Sequence, residues 1–292
     1  MEVTVERADL DRRLDALRAA VPDPRAGIFG PSSTVWSVNR EAVIFLGGGR
    51  AALLQLAHPF VAHGVDQHSA TRADTLGRFM RTFENVFAMV YGDLDAALAS
   101  ARRVHTVHTH ITGDVRETVG AFAAGAPYAA NTPEALLWVH ATLWETSIQV
   151  YELIVRPLTD AEKATYYEET KRFAMLFGIP DAIVPADWPA FRRYWDAMLA
   201  SSTITVGTPA RELAHFLLHP PGSWIGPAWD WFAAVTAHLL PARLRGEFGL
   251  TYGWLEQVAA ETTIRGLRAS WWALPERVRF LPAYQAAMQR LS

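Results

Sequence analysis

The sequence predicts an all-α protein, one domain of about a dozen helices, and three observations carry that prediction. Glycine and proline are absent from residues 134–156 and 158–177, and no proline occurs between residues 60 and 126. Apolar residues recur at intervals of three and four through most of these unbroken stretches. Neither Asn-Gly nor Asp-Gly occurs in the chain, so strands joined by tight two-residue turns are not expected.

The helices follow in order. Glu6 to Ala20 places Leu10, Leu14 and Leu17 on one stripe among charges. Val35 to Leu46 and Arg50 to Val65 are two apolar segments separated by Gly47-Gly48-Gly49. Asp74 to Tyr91 carries Leu76, Phe79, Met80, Phe83, Phe87 and Val90 at helical spacing and closes at Gly92. Asp93 caps the next helix, which runs to about Ile111 before Gly113. Asn131-Thr132-Pro133-Glu134 opens a helix that reaches Arg156, and Thr159-Asp160-Ala161-Glu162 is a capping box for a helix ending at Gly178. Further helices are expected at Asp187–Ala200, Pro209–His219, Pro227–Leu240, Leu250–Trp272 and Glu276–Leu291. Residues 1–30 read as an N-terminal arm and helix, and 31–292 as the helical domain onto which it packs.

Composition narrows the function classes. The 292 residues hold 27 Lys and Arg against 30 Asp and Glu, a formal charge of −3, which gives no electrostatic footprint for nucleic acid. No cysteine is present, which removes disulfide frameworks, thiolate zinc sites, iron–sulfur clusters, cysteine nucleophiles and thiolate-ligated haem. Any metal must be held by histidines and carboxylates. The N-terminus is charged from Glu2 onward, unlike a secretory leader, and no uninterrupted apolar stretch approaches the roughly 18 residues of a spanning helix. The chain therefore reads as soluble and cytoplasmic, with an oligomer allowed.

The motifs leave several readings open. Gly47-Gly48-Gly49-Arg50 is either a tight turn allowing close helix approach or an anion contact at a helix start. Glu212-Leu-Ala-His215 is the single Glu-x-x-His spacing, one short of a di-iron bundle. Ten histidines are present and concentrate at His58, His63 and His68, at His105, His108 and His110, and at His140. His105 and His108 share a helix face with Val104 and Ile111, the setting of either a hydrogen-bonded core histidine or an axial iron ligand. Arg78, Arg81 and Thr82, spaced i, i+3 and i+4, put two cations and a hydroxyl side by side. His140 lies in an apolar run, Leu136-Leu-Trp-Val-His-Ala-Thr-Leu-Trp144, as a second pocket residue or a structural one. The Trp-rich segment from Ser223 to Phe232 is expected to pack or to line a pocket.

Taken in order, Gly48-Gly-Arg-Ala-Ala-Leu-Leu-Gln-Leu-Ala-His-Pro59, Arg78-x-x-Arg-Thr82, Val107-His-Thr-His-Ile-Thr-Gly113 and Leu137-Trp-Val-His-Ala-Thr-Leu143 resemble the family of oxygenases similar to MpaB and the rubber-cleaving latex clearing protein. The resemblance spans roughly residues 30–285. It implies a helical fold enclosing a b-type haem, with Arg78, Arg81 and Thr82 on the distal side. It makes His108 the best match to the proximal ligand, with His105 and His110 as neighbours, and His140 a supporting pocket histidine. Two positions depart from the rubber-cleaving pattern: Arg81 replaces a lysine and Thr112 an arginine. Arg81 can hydrogen-bond but cannot act as a base.

The resulting expectation is a haem b-dependent oxygenase using dioxygen on an apolar, isoprenoid-like or aromatic small molecule. Arg81, Thr82 and Arg78 would be catalytic, His108 would hold the iron, and His140, Arg50 and His58 would support the cofactor, Arg50 by pairing with a haem propionate. Phe83, Phe87, Trp138 and Trp144 would wall the pocket. The rivals are a non-catalytic haem or apolar-ligand carrier, and a non-haem metalloprotein using His58, His63 or His215.

Overall fold

The longest apolar stretch in the sequence forms the axle of the fold. In the computed structural model, which describes residues 4–68, 84–220 and 226–292, helix α7 (Pro133–Ile154) buries 15 of its 22 residues. Thr132 precedes it with extended backbone and Pro133 occupies its first turn, where a missing N–H costs nothing. The shorter helices pack around α7, each presenting an apolar stripe to it or to a neighbour. Among the described residues the fold is helical apart from one small hairpin, so the all-α expectation stands.

Helix α1 (Arg7–Ala20) buries Leu10, Leu14 and Leu17, the stripe read from the sequence, against the core. Two expected long helices are each two elements. Val35–Leu46 divides into α2 (Thr34–Asn39) and a 3₁₀ turn (Ala42–Gly47), because Arg40 and Glu41 leave the helix to meet the C-terminal segment. The Leu281 N–H donates to the Arg40 carbonyl at 2.8 Å, and the buried Glu41 carboxylate accepts from Arg279 at 3.0 Å and from the Trp271 indole at 2.9 Å. Arg50–Val65 divides into α3 (Gly48–Leu56) and α4 (Pro59–His68), since Pro59 has no N–H to continue the first helix.

The three glycines are not a break. The 3₁₀ turn runs straight into α3, and Gly47 and Gly49 let two neighbours approach. A Cβ at Gly47 would strike Thr146 and come within 2.8 Å of Val150 on α7; one at Gly49 would strike Thr236 on α11 (Gly226–Leu239). The close-approach reading of this motif is what the fold uses.

Helix α5 (residues 84–91) is the described part of the expected Asp74–Tyr91 helix, whose first ten residues lie outside the described residues. It leads into α6 (Leu94–His108), which Asp93 caps by accepting from the Ala96 N–H. After α6 the expectation fails locally. Thr112–Asp114 (β1) pairs antiparallel with Pro127–Ala129 (β2), joined by a long loop rather than the tight turn whose absence had argued against strands. Helices α8 (Asp160–Met175) and α9 (Trp188–Ala200) start on the expected capping box and on Asp187. Helix α10 (Thr208–Leu218) follows. Beyond α11, the chain forms α12 (Ala242–Glu247), which was not expected, then α13 (Trp254–Ser270), shorter than foreseen. The last expected helix is split by Pro282 into α14 (Glu276–Arg279) and α15 (Pro282–Leu291).

Gly47→Ala should destabilise the protein by about 1–3 kcal/mol, because the β-branched Thr146 and Val150 cannot turn away. Gly246→Ala, in open space on α12, should stabilise it by about 0.5–1 kcal/mol through helix propensity. Urea unfolding of the two variants checks both signs.

Candidate functional site

The six-residue span from 105 to 110 supplies three histidines, and α6 gives each a different fate. His105 is buried and its Nε2 lies 2.9 Å from the Val5 carbonyl, so it ties the N-terminal arm to α6. His110, beyond the helix, is exposed. His108, the last residue of α6, is half-buried with its Nδ1 fully enclosed. It continues the stripe of Ala97, Ala101 and Val104, the first two buried and the third packed on the core. An adjoining side of α6 meets α5, where the Ser100 hydroxyl and the Arg103 guanidinium both donate to Asn85 Oδ1, at 3.0 and 3.1 Å. Of the three, His108 alone combines an inward position with remaining accessible surface.

Arg78, Arg81, Thr82 and the wall residue Phe83 lie outside the described residues, as do Trp224 and Ile225 of the Trp-rich segment. Phe87 on α5 is half-buried and stacks edge-on against Phe45 at 5.9 Å.

Arg50 is buried in the protein and engaged on every side. Its Nη2 lies 2.7 Å from Glu145 Oε2, Nη1 donates to Thr146 at 2.5 Å and Nε donates to the Leu239 carbonyl at 2.9 Å. Its guanidinium also faces the Trp195 ring at 5.5 Å. The carboxylate it was expected to find on a cofactor is supplied by Glu145. Burial lowers the Arg50 pKa, and the Glu145 charge opposes that shift. Sequence reasoning missed Glu145, although the signal was present: it is the one charge between Glu134 and Glu152 in an apolar helix.

His140 sits on a different side of α7. Its ring packs edge-on against Phe173 at 5.1 Å and Phe177 at 4.5 Å, its Nδ1 is buried without a partner, and burial pushes its pKa down to about 3. The cavity beside it, between Trp144, Tyr167, Thr170 and Phe191, measures about 20 Å³, room for one small molecule the size of water. No tetrapyrrole fits there. Trp138, the other expected wall residue, is fully buried, stacked on Trp195 at 5.2 Å with its indole donating to the Leu54 carbonyl. Trp138 and Trp144 thus serve two separate packing faces of α7 and not one pocket.

His58 closes α3 and is also enclosed. Its Nδ1 accepts the Phe60 N–H at 3.2 Å, its ring lies among Phe60 and Phe122, and burial pushes its pKa down to about 4. His63, one turn further on α4, is buried with an unpartnered Nδ1 beside Tyr128 of the hairpin, and desolvation lowers its pKa. Among the described residues, no three His, Asp or Glu side chains are arranged to hold a metal ion. The metalloprotein reading built on His58, His63 or His215 finds no support there.

With this geometry in place, comparison with known proteins is decisive. The family described as "ER-bound oxygenase mpaB/B'/Rubber oxygenase, catalytic domain" matches residues 35–273. The chain belongs to this family. That span runs from α2 to the end of α13 and covers α3, α6 and α7, which carry Arg50, His108 and His140. Two curated relatives, uncharacterized proteins of Mycobacterium tuberculosis and Mycobacterium bovis, are each 26% identical over 241 residues, 77% of this chain and 88% of theirs. No solved structure matches the chain. Membership makes the protein an oxygenase-family enzyme, an oxidoreductase. Among the described residues, no helix is long and apolar enough to cross a membrane.

Two predictions follow from the buried groups. Arg50→Met or Glu145→Leu alone should each cost about 3–5 kcal/mol by stranding the other charge, whereas the double variant should recover most of the loss; chemical denaturation of all three tests the cycle. The neutral buried histidines make stability depend on pH. Unfolded His58 and His140 take up protons near the ordinary histidine value of 6.5, whereas the folded ones resist down to about 4 and about 3. The stabilisation is complete above pH 6.5 and is lost as pH falls, at about 1.4 kcal/mol per pH unit for each proton. Melting temperature measured across that range should decline on acidification, and His140→Leu should remove about one proton from the slope.

Proposed function

We propose that this chain is a haem b-dependent oxygenase that activates dioxygen for reaction with an apolar small molecule, and that His108 is the iron ligand. The observation that supports this most directly is the sorting of the three histidines around the end of α6: His105 is buried, His110 is exposed, and His108 is half-buried with its Nδ1 side enclosed. The donor chemistry agrees. With no cysteine in the chain, imidazole is the natural axial donor, and a helix-borne histidine at the edge of a core is a suitable holder.

Haem b, when bound, supplies the iron centre at which dioxygen is activated. The protein's part is to hold and orient it. The Nδ1 side of His108 is enclosed by the protein, which restricts rotation of the ring while the residue keeps some accessible surface. Arg81 and Thr82 stand immediately before α5 in the sequence, and in this reading they donate hydrogen bonds on the reactive side. Arg81 does so as a permanent cation, so any proton taken from substrate goes elsewhere. Arg78 supplies a second cation there. Arg50 and His140 act from the core: Arg50 holds α3, α7 and α11 together, and His140 fills the interface between α7 and α8. His58 likewise packs beneath the hairpin.

The test is a visible spectrum of the purified protein reconstituted with haemin. A Soret band is expected in the wild type and in His140→Leu, with severe loss in His108→Ala at unchanged helical circular dichroism. Equal haem binding by His108→Ala would overturn the ligand assignment. A full haem spectrum with no dioxygen consumption across apolar substrates would favour the carrier reading instead.

A further inference from the structure

The outer face of α13 departs from the pattern of a surface helix. Only Ala260 among its 17 residues is buried, with Ile264 and Leu267 half-buried on the same inward side. On the opposite side, at helical spacing, Leu255, Val258, Ala259, Thr262, Gly266 and Ala269 are all exposed, interrupted by one charge, Arg265. Leu255 is 69% exposed, and Trp254 beside it 73%. Surface helices turn their charged side outward, whereas here Glu256, Glu261 and Arg268 flank an outward stripe whose one charge is Arg265.

We propose that this stripe is an isologous interface with a second copy of the chain, the two α13 helices packing antiparallel with Thr262 near the two-fold axis. Two features make the face complementary to itself in that direction alone. The bulky residues Trp254, Leu255 and Val258 occupy its first half and the small residues Gly266 and Ala269 its second, so antiparallel packing sets large against small. A Cβ added to Gly266 meets nothing within 4 Å, which leaves the space that a partner's side chain needs. The charges follow the same polarity on one edge of the stripe, where Glu261 lies in the first half and Arg265 in the second, paired at 3.5 Å within the helix, so an antiparallel partner brings the same two charges alongside with their order reversed. A lipid surface fits less well, because an interfacial helix carries a surplus of Lys and Arg along its polar edges, whereas the two arginines of α13 are balanced by two glutamates.

The absence of cysteine from the chain gives a clean test. Thr262→Cys should form a disulfide-linked dimer on mild oxidation, while Thr165→Cys, on the exposed side of α8, should not. In sedimentation experiments the wild type should be dimeric, and Val258→Glu should raise the dimer dissociation constant about tenfold or more with its helical signal intact. A monomeric wild type at micromolar concentration would overturn the proposal. So would a Thr262→Cys variant that fails to cross-link, or binding to phosphatidylcholine vesicles that Val258→Glu abolishes.

Discussion

A helix buried on nearly every side can carry polar groups only where its neighbours satisfy them, and for α7 the chief neighbour is Arg50. One guanidinium meets Glu145 and Thr146 on α7 and the last carbonyl of α11 while sitting on α3. The rest of the core is arranged around that meeting. Gly47 and Gly49 allow the three helices to come close enough for it, and Trp195 covers the guanidinium. Gln55, one and a half turns along α3, donates to Thr142, so the contact between α3 and α7 is polar at two levels and apolar between them. Such a network constrains register more strongly than aliphatic packing, because a shift by one turn would leave a buried charge unmatched.

This arrangement separates the polar groups that hold the fold from those suited to chemistry. His58 and His140 are enclosed by aromatic rings and held neutral, the behaviour of structural histidines. His108 stands at the margin, at the end of α6, with one side of its ring enclosed.

Much of the fold was legible because local rules decide it. Asp93, the Thr159–Glu162 box and Asp187 mark helix starts through hydrogen bonds made within four residues of the cap, and a sequence displays those directly. Pro59 and Pro282 are visible too, but the apolar periodicity runs through both and conceals the break that the missing N–H makes. The hairpin of β1 and β2 was hidden, because its strands are three residues each and its loop is long. Pairing across distance was hardest to read. Nothing near Glu41 announces that its partner is Arg279, or that Arg50 will meet Glu145 instead of a ligand's carboxylate. For the histidines, spacing identified the cluster around the end of α6, whereas the burial of His105 against the Val5 carbonyl comes from the distant N-terminal arm.

The clasp between Glu41 and Arg279 joins groups 238 positions apart. During synthesis, the carboxylate leaves the ribosome long before its guanidinium does, and until then it has every reason to remain hydrated. The 3₁₀ turn that leads into α3 is therefore held open at its start while most of the polypeptide is already made. The final segments thus act as a latch on the nascent protein, because the loop-closure entropy of this pairing is met only when the last helices arrive.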